Sequence, residues 1–212
     1  MKEYRLYLFD FDYTLVNSEK GIVGCFEHVF WLNGITGIEK DDIRRTIGMP
    51  LAEEFRVLTG VEDKHMLERF RREFSEMADE IMTDRTELFP ETLPMLERLK
   101  KRNARIGIVS TKQRPRIREA IDKFYLQELI DLVIGVADVT QTKPNPQGVL
   151  RAIDFFKIDK ADTLYVGDSI IDAQTGMNAG IDFAAVLNGM TRREEFYEYP
   201  SVKIMDSFSE LL

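Results

Sequence analysis

The stretch Tyr7-Leu8-Phe9-Asp10-Phe11-Asp12-Tyr13-Thr14-Leu15 sets two carboxylates one residue apart, where the apolar run Leu6 to Phe9 gives out. A short apolar run that ends at acidic residues reads as a buried strand with a polar carboxyl end. Ile106 to Val109, Leu132 to Val136 and Leu164 to Val166 repeat the pattern, each followed by helical spacing, and Phe183 to Leu187 reads as a fifth strand. Helices are expected over Arg116 to Phe124, Pro146 to Phe156 and Ile170 to Ala179, the last stopped by Gly180. Strands that alternate with helices need crossover connections, so the fold class is α/β, a three-layer Rossmann-like parallel sheet. Ligands in such sheets bind outside the carboxyl ends of the strands, where Asp10, Ser110 and Asp168 all fall.

The first crossover is far longer than one helix requires, with about ninety residues between the first two strands. It has helical periodicity of its own. Ser18 to Leu32 runs into Asn33-Gly34, Asp41 can cap a short helix that ends near Gly48-Met49-Pro50, and Leu51 to Leu58 stops before Gly60. A long amphipathic stretch then carries Met66, Leu67, Phe70, Phe74, Met77 and Ile81 on one side, with charges on the other. The expected organisation is a core of residues 1–15 and 86–212 with an all-helical subdomain, residues 16–85, over the mouth of the sheet.

Composition narrows the function. The 212 residues carry a net charge of -8 with 44% hydrophobic content, enough for a sizeable core. Sequence-independent nucleic-acid binding draws on Lys and Arg neutralising phosphates, so an acidic chain is expected to have no nucleic-acid partner. Without an apolar run near the ~20 residues that span a bilayer and with no basic-then-apolar leader pattern, it is expected to be cytoplasmic, with no membrane partner. Cys25, the single cysteine, excludes an intrachain disulfide and sits at helical spacing among Ile22, Phe26 and Val29, which marks a packing role. His28 and His65 have no ligand spacing around them.

Asp10-Phe11-Asp12-Tyr13-Thr14, Ser110-Thr111, Lys143-Pro144-Asn145-Pro146 and Gly167-Asp168-Ser169-Ile170-Ile171-Asp172, in this order, resemble the haloacid dehalogenase superfamily, specifically its phosphatases with a helical cap after the first strand. The resemblance covers essentially the whole chain. Each element alone has a plainer reading: the first two aspartates as turn or capping residues, Ser110-Thr111 as a cap for the next helix, Lys143 as a solvated loop lysine, and Asp168 and Asp172 as favourable charges at a helix start.

The resemblance implies a phosphohydrolase acting on a small phosphorylated substrate. A desolvated, aimed carboxylate can attack phosphorus and divide one hard displacement into two easier ones, which is the role implied for Asp10. Asp12 would protonate the departing alkoxide and later take a proton from water. A hard cation held by oxygen ligands would neutralise the charge, and Mg2+ suits this; the resemblance places it on Asp10, the backbone carbonyl of Asp12 and the side chain of Asp168, with Asp172 orienting a metal-bound water or Lys143. Lys143 would neutralise the transferring group, while Ser110 and the Thr111 N–H bind its oxygens.

Glycine most often follows the second aspartate in this family; Tyr13 stands there instead, from which the loop is expected not to need a positive φ. Selectivity should come from the cap, which must open for substrate and close against water. Thr46-Ile47-Gly48-Met49-Pro50-Leu51 resembles the cap segment of phosphoglycolate phosphatases and related pyrophosphatases, which makes phosphoglycolate a candidate substrate. Arg44, Arg45 and Lys64 could meet a substrate carboxylate or a second phosphate, but in so charged a segment they read first as solvated charges. A sugar phosphomutase would carry a proton-handling histidine where Ile22 stands. A 2-haloacid dehalogenase needs neither Asp12 nor the Asp168 pair, and a catalytically silent binding module on this fold is the remaining alternative. The expected assembly is a monomer or weak homodimer.

Overall fold

The computed structural model describes residues 2–211. Strand β1 (Leu6–Phe9) leads past Asp10 and Asp12 into a two-residue strand β2 (Val16–Asn17). Four helices follow, α1 (Glu19–Leu32), α2 (Lys40–Thr46), α3 (Leu51–Thr59) and α4 (Lys64–Ile81), before the chain returns as β3 (Glu87–Leu88). β2 and β3 pair antiparallel, Val16 with Leu88, and so draw the two ends of the helical insert together. Then come α5 (Thr92–Lys101), β4 (Arg105–Val109), α6 (Arg114–Lys123), β5 (Leu132–Ile134), α7 (Gln147–Phe156), β6 (Thr163–Gly167), α8 (Ile170–Ala179), β7 (Asp182–Val186) and β8 (Lys203–Met205).

Six strands form one sheet in the order β5-β4-β1-β6-β7-β8, every pairing parallel. β1 lies inside it, and all four of its residues are buried because helices cover both faces. Tyr7 and Phe9 face Leu96 and Leu99 of α5 and Ile117 of α6. Leu6 and Leu8 face the other way, into a cluster with Val149 of α7 and Ala173 of α8. The chain order reverses on either side of β1, so the crevice at its carboxyl end is the expected ligand position in a doubly wound sheet.

The insert has a separate core. Phe26 of α1, Phe55 of α3, and Phe70 and Phe74 of α4 meet there, with ring centroids of Phe26 and Phe55 4.8 Å apart. α4 starts where the Asp63 carboxylate accepts the Met66 N–H at 2.8 Å, and its Leu67, Phe70, Phe74 and Ala78 form the buried stripe. Cys25 packs in the same core.

Several expectations shift. Met66, expected on the apolar side of α4, is 42% exposed, because it lies in the first turn, before the stripe meets α1. The helix expected to be capped by Asp41 begins at Lys40, with the Glu39 N–H donating to the Asp42 carboxylate at 3.1 Å. α6 begins at Arg114 rather than Arg116, because Pro115 is tolerated in a first turn that lacks N–H partners anyway. β5 stops at Ile134 rather than Val136: a Cβ on Gly135 would fall 2.6 Å from the Arg114 backbone nitrogen, so the chain must turn there against the loop after β4. Four elements lack a sequence signal: Pro94 interrupts the helical pattern of α5, β8 has only three residues, and β2 and β3 have two each, so the segment expected to be all-helical opens on a strand, Val16–Asn17.

Tyr13 contradicts the expectation about its loop. Its φ is +56°, the left-handed region, at a cost of about 1–2 kcal/mol for a residue with a Cβ. Its surroundings hold it there. The Tyr13 N–H donates to the Val16 carbonyl at 2.8 Å, the ring is buried in the insert's core, and the hydroxyl donates to the Glu19 carboxylate at 2.7 Å. Glu19 is in turn held by the Arg44 Nε at 2.9 Å, so Arg44 is not a free surface cation. Tyr13→Phe is expected to cost about 1 kcal/mol, read as a lower urea midpoint at unchanged slope.

Candidate active site

At the carboxyl end of the sheet, β1 delivers Asp10, β4 delivers Ser110 and β6 delivers Asp168. Asp172 sits in the first turn of α8, where Ser169 caps the helix by accepting the Asp172 N–H at 3.2 Å. Gly167 permits this closeness, since a Cβ there would lie 2.4 Å from the Asp172 side chain. Lys143 comes from the loop before α7 and is 4% exposed at its side chain, with its Nζ 2.8 Å from Asp10 Oδ1 and 2.6 Å from Asp172 Oδ1. The structure thus brings together Asp10, Lys143, Asp168 and Asp172, with Asp12 and Ser110 at the same edge of the sheet, all buried.

Three buried carboxylates share one ammonium. Asp10, Asp168 and Asp172 each offer an oxygen within 4.8 Å of the others. Burial pushes the Asp10 carboxyl up to about 6, against the pull of Lys143 and with the help of Asp172. Asp168 is held well above the usual carboxylate range by burial first, then by Asp172 and Asp10. Burial works to lower Lys143, but Asp10 and Asp172 overcome it and keep the ammonium protonated above its ordinary value.

The donor set fits a hard divalent cation. Asp10 Oδ1 meets only the Lys143 ammonium among the described residues, 2.8 Å away, and a carboxylate oxygen with one such partner keeps a lone pair for a cation. Asp168 uses Oδ1 to accept the Thr14 hydroxyl at 2.8 Å. Asp172 is more fully committed: Lys143 and the Tyr165 hydroxyl, at 2.9 Å, donate to Oδ1, and the Ser169 hydroxyl, at 2.6 Å, donates to Oδ2. Its oxygens suit orienting Lys143 better than binding an ion. An all-oxygen acidic set is the chemistry Mg2+ takes.

Asp12 turns away from this cluster toward the insert. Its Oδ1 accepts from the Ser18 hydroxyl and from Lys112 Nζ at 2.8 Å. Thr111 also turns toward the insert, its hydroxyl donating to the Gly48 carbonyl at 2.9 Å, so the Gly48-Met49-Pro50 turn rests on the loop after β4. A cavity of about 460 Å3 lies between them, lined by Asp12, Ile22, Met49, Phe74 and Lys112.

Lys112, Ser18 and Tyr165 join the site from outside the motifs, and Thr14 from within the first of them. Lys112 had a signal, since it follows Ser110-Thr111 at a strand end; Tyr165, inside an apolar strand, had none. His28 and His65 lie in α1 and α4 and line no part of this cavity. Among the described residues no helix is long and apolar enough to cross a membrane.

A parallel α/β core with an acidic cluster at the carboxyl ends of its inner strands has its candidate active site where ligands bind in such enzymes. The chain belongs to the haloacid dehalogenase-like hydrolase family, whose sequence model it matches over residues 7–186. A haloacid dehalogenase-like hydrolase of Bacteroides fragilis, known from its crystal structure, is 48% identical, superposes with a TM-score of 0.97 and covers 99% of this chain and 100% of its own. The pyrophosphatase PpaX of Bacillus mycoides (strain KBAB4) is 29% identical over 205 residues, 97% of this chain and 94% of the relative. A Lactobacillus plantarum protein named for an inferred phosphoglycolate phosphatase activity shares the fold, with a TM-score of 0.88 at 21% identity over 99% of this chain and 98% of its own.

Proposed function

We propose that this chain is a Mg2+-dependent phosphohydrolase that releases phosphate from a small phosphorylated metabolite by way of an aspartyl phosphate, with residues 16–85 as its cap and residues 1–15 and 86–212 as its catalytic core. The observation that carries this reading is the Asp10–Lys143–Asp172 ion triad with Asp168 beside it, under the cavity that Asp12 lines.

Asp10 is the nucleophile. Its carboxylate oxygen bonds to phosphorus as the bond from phosphorus to the leaving oxygen breaks. Asp12 donates a proton to that oxygen, then takes one from the water that attacks the phosphoenzyme. Burial of Asp12 beside Lys112 and Ser18 orients it, and Lys112 must release it for the proton to move. Ser110 and the Thr111 N–H bind the phosphoryl oxygens, and Lys143, aimed by Asp172, balances their charge. A divalent cation bound by Asp10, the Asp12 carbonyl and Asp168 would offset the repulsion between a carboxylate nucleophile and a phosphate.

Mutase chemistry is disfavoured by Ile22, a buried apolar side chain on the cavity wall. The names of its relatives make phosphoglycolate and pyrophosphate early substrates to assay, with small sugar phosphates and nucleoside monophosphates beside them. With a generic aryl phosphate, phosphate release is expected in Mg2+ and to fall about a hundredfold or more in chelator. Equal rates in both would refute the metal role, and a folded protein inert on every ester would favour the silent module.

A further inference from the structure

The phosphoryl site explains what is transferred; the cavity beside it bears on what leaves. Its wall is largely apolar, with Ile22, Met49, Leu51, Phe74 and Met82, and at about 460 Å3 it has the size of a small-molecule pocket. Three of its four cations, Lys112, Arg71 and Arg116, are held in close ion pairs, and Arg72 is the loosest. Lys112 pairs with Asp12 at 2.8 Å, Arg71 with Glu68 at 2.9 Å, Arg72 with Glu76 at 4.0 Å, and Arg116 with Asp79 and Glu119.

Of the polar side chains on the wall that have no hydrogen-bond or ion-pair partner among the described residues, Ser75, Gln113 and Glu54, the most buried is an acid. Glu54, on α3, is 6% exposed and lines the cavity. No side chain or backbone group among the described residues hydrogen-bonds or ion-pairs with its carboxyl. Its oxygens open into the cavity rather than being sealed within the protein, so a bound ligand can take the place of water on them. Burial, with Asp12 nearby, holds it protonated well above the usual carboxylate range, so it can donate as well as accept.

Resting on the phosphohydrolase reading, we propose that Glu54 is a specificity-determining residue that hydrogen-bonds a hydroxyl of the leaving group, so that this enzyme prefers phosphate esters of neutral, hydroxyl-bearing alcohols with an apolar face. A leaving group that carries a carboxylate or a second phosphate would have to draw Lys112, Arg71 or Arg116 out of an existing ion pair. A neutral polyol meets apolar surface and one carboxyl suited to its hydroxyls.

The test compares kcat/KM in Mg2+ for a glycerol phosphate, a hexose phosphate and a nucleoside monophosphate against phosphoglycolate, pyrophosphate and phosphoethanolamine, with an aryl phosphate as reference. The best hydroxylated ester is expected to lead phosphoglycolate and pyrophosphate by about tenfold or more. Glu54→Ala should collapse that ratio by about tenfold, and Glu54→Gln, whose amide both donates and accepts, by less. A lead for pyrophosphate, phosphoglycolate or the amine-bearing ester overturns the proposal, as does an unchanged ratio in folded Glu54→Ala. Should that variant not fold, the wild-type panel decides alone. Absence of turnover even on the aryl phosphate would instead remove the phosphohydrolase reading, and this proposal with it.

Discussion

Asp10→Asn is expected to abolish steady-state phosphate release, by about ten-thousandfold or more, while leaving the protein folded. Removing an enzyme's nucleophile costs on the order of 10⁴ to 10⁶ in turnover, because what remains is only binding and electrostatic stabilisation. The amide oxygen that replaces the attacking atom carries no charge and cannot form a stable link to phosphorus. The fold should survive, because Lys143 keeps Asp172 at 2.6 Å and so is not stranded in the interior. Quenched single-turnover reactions with radiolabelled substrate provide the second readout, since wild type should trap label on protein and the variant should not. Full-speed hydrolysis by the asparagine protein would refute covalent catalysis at this position.

The second large effect separates stability from activity. Asp168→Asn is expected to lower turnover at least a hundredfold in Mg2+, yet to raise the melting temperature of the protein measured in chelator. Asp10, Asp168 and Asp172 crowd one buried site with Lys143 as their shared counter-charge, so without a cation the folded state bears their repulsion. An asparagine keeps the shape and can still accept the Thr14 hydroxyl through Oδ1. Relief on the order of 1 kcal/mol would appear as about 2–4 °C in a chain of this size. Mg2+ should stabilise wild type by mass action and the variant far less.

The same cluster sets a pH sign. Burial raises the folded pKa of Asp10 to about 6, above the ~3.9 of an unfolded aspartate. The folded state therefore binds more protons, and the contribution of this group to metal-free stability is lost as pH rises between those values. Melts in chelator at pH 4.5 and 7 check the direction, which Asp168→Asn should weaken. A variant that melts lower than wild type in chelator would show that Asp168 is held by contacts stronger than this repulsion.

Much of the core was legible because its signals are local. Leu6 to Phe9 is apolar at every position, which happens only where a strand is covered on both faces, and Gly180 ends α8 in the left-handed conformation its position announced. The carboxyl-end rule then sent Asp10, Ser110 and Asp168 to one edge with no knowledge of packing. Lys143 could be expected at the same edge only through the order of the motifs, because nothing in its neighbours says that it is buried between two carboxylates rather than solvated.

By itself, then, the chain's order of residues determined an α/β sheet, a helical insert after the first strand and an acidic carboxyl edge, since periodicity and strand ends act over a few residues at a time. Tertiary structure decided the rest. Tyr13 adopts a positive φ because a buried ring pocket and Glu19 outweigh a local backbone cost that sequence alone makes visible. Lys112 meets Asp12, and Glu54 lines the cavity without a partner, only because α3 and the loop after β4 converge from positions far apart along the chain. Electrostatics and burial in such a site depend on distances through space, and those exist only after the insert has packed over the sheet.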